Sequence, residues 1–100
     1  MQCRVAVTGI GVLSPLGIGA DIFWESLAKG ESGIRRIAAF DPEPYATTIA
    51  GEVPGFDPYD FGMIKKEIRN MDRVSQLGVA ASEMAIADSG LTLSSQTGMI

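Results

Sequence analysis

The chain has 100 residues, 46% apolar and 20% charged, with 8 basic and 12 acidic side chains and a net charge of −4. That balance describes ordinary globular sequence rather than a disordered tail, allows one domain at most, and argues against generic nucleic-acid binding, which wants a basic surface. It contains no His and one Cys, which excludes an imidazole base, a Ser-His-Asp or Cys-His arrangement, a His metal ligand and an internal disulfide.

Met1 to Val7 lack the charged and apolar regions of a signal peptide. No apolar run approaches the roughly 18 residues of a membrane helix. These features predict a cytoplasmic protein without a membrane segment.

Cys3 to Thr8 is predicted to be a strand buried on both faces, because Val5 and Val7 are β-branched and Ala6 keeps the run apolar. Gly9 and Gly11 end it, and Pro15 and Gly17 hold the next segment as a loop. A helix is expected from an Asp21 N-cap to a C′ glycine at Gly30. Along it Ile22, Phe23 and Leu27 share a face, with Trp24 beside them.

Residues 34–62 hold five acidic residues, four prolines and the aromatics Phe40, Tyr45, Phe56, Tyr59 and Phe61. They predict a loop-rich excursion pinned to the core by its aromatics, with one strand from Thr47 to Val53. Pro54-Gly55 is a turn signal, and Asp57 and Asp60 are turn formers.

Met63 to Asn70 predicts a short amphipathic turn or two. Asp72 then caps a longer helix running to about Asp88, stopped by Asp88-Ser89-Gly90. Gly78, Ala81, Ser82 and Ala85 form a stripe of small residues that admits another backbone closely. With Val74, Leu77, Met84 and Ile86 around it, this helix is expected to be buried on more than one side. Thr92 to Gln96 is a polar link, and Gly98-Met99-Ile100 opens another strand. A chain stopping there is expected to be truncated at residue 100. The order of elements is α/β in class.

Three features bear on chemistry. The glycines Gly9, Gly11 and Gly17 after the first strand invite a dinucleotide-binding reading. However, the spacing departs from G-x-G-x-x-G, with Ser14 and Pro15 intervening, and no acidic ribose partner follows. A tight strand-to-helix connection needing glycine dihedrals accounts for them better. Cys3 has only Arg4 beside it and reads as a small hydrophobe rather than a reactive thiol. Lys65, Lys66, Arg69 and Arg73 form a cationic cluster in an acidic chain, partly offset by Glu67 and Asp72. Its spacing suits either a solvated helix face or a dock for an acidic partner.

The ordered run of motifs carries more. Arg4 to Gly17 is R-V-A-V-T-G-I-G-V-L-S-P-L-G, Phe23 to Ile34 is F-W-E-S-L-A-K-G-E-S-G-I, and Phe40 to Pro42 is F-D-P. Ile49 to Val53 is I-A-G-E-V, Arg69 to Gln76 is R-N-M-D-R-V-S-Q, and Ala87 to Leu91 is A-D-S-G-L. Together they resemble the start of a β-ketoacyl-[acyl-carrier-protein] synthase of the type II elongating class, with polyketide ketosynthase and chain-length-factor subunits as close relatives.

The resemblance implies a thiolase-like layered αβαβα fold, with residues 1–100 beginning the synthase N-terminal domain, and a parent that is a homodimer or, in polyketide systems, a heterodimer. It implies an acyltransferase of fatty-acid or polyketide synthesis. Such an enzyme condenses an acyl thioester with a malonyl thioester on acyl carrier protein, with loss of CO2 and without cofactor or metal. The family's Cys nucleophile and two His lie in later segments, so no catalytic residue is assigned here and the isolated chain is expected to be inactive. Lys65, Lys66 and Arg69 fall in the family's basic carrier-protein docking segment, while Asn70 is uncharged where elongating synthases often have a basic residue. The glycine loop becomes structural, which sets the nucleotide-binding module aside. A non-catalytic subunit resembling a chain-length factor is the alternative.

Overall fold

The computed structural model describes residues 2–94. Its elements are β1 (Leu13–Ser14), β2 (Gly17–Ile18), α1 (Ala20–Ala28), β3 (Arg35–Arg36) and β4 (Ile49–Ala50). A 3-10 turn at Pro58–Phe61, α2 (Lys65–Asn70) and α3 (Arg73–Ser89) follow. Helices and strands mix as the α/β reading requires, although each strand is two residues long and the sheets are two separate antiparallel pairs.

Residues Cys3 to Thr8 are not a paired strand. Among the described residues no strand lies beside them, and Val5 and Val7 are 92% and 83% exposed. A β-branched run forms a strand only when neighbours supply ladder bonds and apolar cover, and here neither is present.

The first pairing is a tight hairpin, with Leu13 opposite Ile18 and Ser14 opposite Gly17. Pro15 and Leu16 make the two-residue loop that the sequence suggested only as irregular. Ser14 is buried and ties the loop together. Its hydroxyl donates to the Gly17 carbonyl and accepts from the Leu16 amide, both at 3.2 Å.

Helix α1 is capped by Gly19 rather than Asp21, which sits in the first turn, where its charge complements the exposed amides. The far end behaves as expected. Gly30 has φ +73°, its amide donates to Leu27 O, and Glu31 N donates to Ser26 O, which is a Schellman closure. No residue of α1 is buried, so its apolar face has no full cover among the described residues.

Strand β4 lies inside the predicted Thr47–Val53 and pairs with β3, Arg35 opposite Ala50 and Arg36 opposite Ile49. Glu52 grips the loop between them: its two carboxylate oxygens accept from Ala38 N at 2.7 Å and Ala39 N at 3.0 Å. Arg36 pairs with Asp41 at 3.8 Å and Glu43 at 2.9 Å across the same loop. The predicted aromatic pins are only partly realised. Phe40, Tyr45 and Tyr59 are exposed, and Pro42 is the fully buried side chain of this excursion. Asp57 is the expected turn former, accepting from Tyr59 N at 3.0 Å, while Asp60 contributes only its backbone amide.

Helix α3 begins and ends as predicted. Asp72 Oδ1 accepts from Ser75 N at 2.9 Å, and Gly90 closes the helix at φ +69°. Hydrogen bonds from the Ser75 side chain and amide hold the Asp72 carboxyl below the usual carboxylate range. The helix is less enclosed than its composition suggests: Ala80 is its buried residue, and Val74 and Val79 are exposed.

Half of the small-residue stripe, Ala81 and Ala85, does admit another backbone, the chain's own first segment, while Gly78 and Ser82 line an open groove instead. A Cβ at Gly9 would collide with the Ala85 carbonyl and Ser89. A Cβ at Gly11 would collide with the Ala81 carbonyl and Ala85 N. Ile10 N donates to Asp88 Oδ2 at 2.9 Å, closing a contact across 78 residues. The A-D-S-G-L motif therefore has a physical account. Asp88 anchors the glycine segment, Ser89 Oγ donates to Ile86 O and accepts from Leu91 N, and Gly90 supplies the left-handed turn.

The buried apolar residues are few, Met63 and Ala80 foremost. The Cα radius of gyration is 16.6 Å, against about 13 Å for a compact 100-residue domain. The predicted strand at Gly98-Met99-Ile100 and the end of the polar link, Ser95-Gln96, lie outside the described residues.

Candidate functional site

Six residues, Lys65–Asn70, form the element where unpaired positive charge accumulates among the described residues. The segment enters from the 3-10 turn through Gly62, at φ +78°, and buried Met63. Ile64 is the N-cap and offers no side-chain acceptor. Glu67 compensates by reaching back, its Oε2 accepting from Ile64 N at 2.9 Å. The extended Met71 ends the helix after less than two turns.

Lys65, Lys66 and Arg69 are all exposed. Lys65 and Arg69 stand one turn apart on one face. The ion pairs among the described residues both belong to Arg36, so none of these three cations is neutralised by a carboxylate. Two lysines in a first turn oppose the positive end of the helix dipole, so local helix stability does not explain their placement. Lys66 also borders an open groove of about 660 Å³, whose apolar lining includes Phe61, Met63, Met71 and Val79.

Arg73 leaves the cluster. It is the first residue of α3, and its guanidinium lies 4.5 Å from the centre of the Phe56 ring. Asn70 stays on α2 beside the groove, neutral, between Arg69 and Met71.

The other sequence candidates lie away from this helix. Gly9 and Gly11 face the α3 backbone at contact distance, which leaves no room for a pyrophosphate there. Cys3 is exposed in the unpaired first segment, not the buried hydrophobe the sequence suggested. No group of three His, Cys, Asp or Glu gathers among the described residues. What the sequence did not reveal is Gln76. Its Nε2 donates to Ile68 O at 3.4 Å and Met71 O at 3.3 Å, the end of α2.

Comparison with known proteins places the arrangement. The family model for the β-ketoacyl synthase N-terminal domain matches residues 2–100. The chain belongs to the β-ketoacyl synthase family. Among curated relatives, the actinorhodin polyketide putative β-ketoacyl synthase 1 of Streptomyces coelicolor is 47% identical over 91 residues, covering 91% of this chain and 19% of that protein. The 3-oxoacyl-[acyl-carrier-protein] synthase 2 of Staphylococcus aureus is 40% identical over 94 residues, covering 94% of the chain and 22% of that protein. Among solved structures, the ishigamide ketosynthase/chain length factor superposes with a TM-score of 0.77 at 40% identity, over 86% of this chain and 21% of that one. The chain thus spans about a fifth of the length of the relatives it matches. It has the thiolase-like ketosynthase fold over that span, and no described helix is long and apolar enough to cross a membrane.

Proposed function

We propose that this chain is part of the N-terminal domain of an elongating β-ketoacyl-[acyl-carrier-protein] synthase, and that α2 is a docking surface for acyl carrier protein. The observation that carries the family part is the match along residues 2–100, with relatives at 40–47% identity named as ketoacyl synthases. The docking part rests on geometry: Lys65, Lys66 and Arg69 are exposed, lack carboxylate partners and crowd onto six residues. A cationic surface of this kind steers an acidic partner and sets its register.

In the parent reaction an acyl group is held as a thioester on an enzyme Cys. The malonyl thioester loses CO2, and the resulting carbanion attacks the acyl carbonyl and expels the Cys thiolate. None of that machinery resides in these residues: Cys3 is the lone thiol, and there is no His. The contribution of this segment is to receive the carrier. The exposed faces of Val5 and Val7 fit the same reading, since a parent four to five times longer supplies the missing cover. The parent acts in the cytoplasm as a dimer, with acyl and malonyl thioesters as substrates and no metal or cofactor.

The solved neighbour pairs a ketosynthase with a chain length factor, so a non-catalytic partner subunit is the second reading. Incubating the full-length protein with acyl-loaded and malonyl-loaded carrier separates the two. A synthase releases CO2 and a β-ketoacyl product, whereas a chain-length-factor subunit alone does neither. The 100-residue chain by itself is expected to show no turnover, and turnover would overturn the assignment of the chemistry to other segments.

A further inference from the structure

Helix α2 is too short to hold itself. Isolated helices below about 12–15 residues are marginal in water, and α2 has six. The C-cap amide of Met71 reaches one of its last carbonyls, Ile68 O, at 3.3 Å, and the end of so short a helix is otherwise short of intrahelical donors. The direction in which it presents its cations must therefore be set from outside the helix.

Two side chains of the first turn of α3 do this. Gln76 is half-buried, and its amide nitrogen donates to the carbonyls of Ile68 and Met71 at 3.4 and 3.3 Å. Those oxygens belong to the last turn of α2 and to its C-cap, so one side-chain amide bridges the bend between the helices. Arg73 holds the entry side, 4.5 Å over the Phe56 ring. Phe56 in turn packs on Phe61 of the 3-10 turn, with ring centres 5.7 Å apart. The bridge needs a neutral side chain of glutamine length with two N–H donors. An aliphatic residue fills the space but leaves the Met71 carbonyl without its donor and the Ile68 carbonyl with the Met71 amide alone, at 3.3 Å, and a carboxylate repels both.

We propose that Gln76 is a positioning residue for carrier docking: it fixes the pose of α2 and hence the direction of Lys65, Lys66 and Arg69, without touching the carrier. This rests on the docking reading of α2 and is tested so that the two can fail separately.

The full-length synthase is assayed with the malonyl group on acyl carrier protein and, separately, on coenzyme A. Gln76→Met is expected to raise KM for the carrier-linked substrate about three- to tenfold, the effect of losing one or two ordinary hydrogen bonds. KM for the coenzyme-A-linked substrate and kcat should stay within about twofold, inside the same per-bond allowance. Amide hydrogen exchange should accelerate across 65–71 and stay unchanged across 77–88. Equal shifts for both substrates, or no shift for either, overturn the positioning role, as does unchanged exchange in α2. If Gln76→Met does not yield folded protein, Gln76→Asn, which keeps the donors one methylene short, carries the same measurements. Lys65→Glu with Arg69→Glu is run beside it. A carrier-specific effect there with none at Gln76 leaves docking standing and removes the positioning role. No effect of the charge reversal removes both, while the exchange data still report whether Gln76 holds α2.

Discussion

Replacing Gly11 by Ala tests the contact that joins the two ends of the described chain. A methyl group there meets the Ala81 carbonyl, with Ala85 N at 2.8 Å and the Met84 Cβ at 2.9 Å. Two of these three neighbours are helix backbone and cannot rotate away. Relief requires the glycine segment to lift from α3, which strains the 2.9 Å bond from Ile10 N to Asp88. Overpacking of this kind costs about 1–3 kcal/mol. The backbone of Gly11 is not in the left-handed region, so Ala also restricts the unfolded chain, which offsets about 0.4–1 kcal/mol. The net loss is then about 1.3 kcal/mol, roughly a 5–10 °C fall in Tm for a domain of this size. Thermal unfolding followed by far-ultraviolet circular dichroism measures it. Gly78→Ala is the control: it is a helix-interior glycine with nothing within 4 Å of the added methyl, and Ala there is worth about 0.5–1 kcal/mol of stability. A Gly11→Ala protein as stable as wild type, or a destabilised Gly78→Ala, would refute the assignment of which small residues face a neighbour.

Other outcomes follow from single bonds. Asp72→Ala should shorten α3 from its N-terminal end, seen as faster amide exchange over 73–76, because Ser75 N loses its acceptor; exchange confined to the other end would count against the cap. The Asp72 carboxyl titrates lower in the folded chain than in the unfolded one. Its stabilisation is therefore complete above the unfolded value of 3.8 and is lost as pH falls through the lower folded value. Acidification in that window should loosen the start of α3 in the wild type and not in Asp72→Asn, which keeps an uncharged acceptor. Glu52→Ala removes two acceptors from consecutive amides and should raise exchange at Ala38 and Ala39 about fivefold or more, since an exposed hydrogen bond of this kind contributes about 1 kcal/mol or more. Unchanged protection there would show that the loop is held by the Arg36 ion pairs alone.

The helices were legible because their stop signals are local. Asp72 and Gly90 bracket α3 by side-chain chemistry and by a left-handed dihedral, and Gly30 ends α1 the same way. The pairing of Arg35–Arg36 with Ile49–Ala50 was not legible, because two-residue strands carry no periodicity to read. Cys3 to Thr8 misled for a physical reason: β-branched residues report a strand's need for neighbours, not whether neighbours are present. The cationic cluster was visible as charge spacing, and the structure sharpened it by moving Arg73 onto Phe56. Asp88 was read only as part of a helix stop and Gln76 only as the end of a motif, since a polar residue within a helix shows its bonding role only when tertiary structure places a carbonyl or an amide in front of it.

The central claim is that α2 receives an acidic carrier, and the affinity of the full-length synthase for acyl carrier protein at low salt tests it most directly. Reversing Lys65 and Arg69 to Glu should weaken binding about tenfold or more at low ionic strength, with the gap narrowing toward 1 M salt as screening shortens the reach of exposed charge to about 3 Å. Equal affinity of the two proteins at low salt would contradict the account.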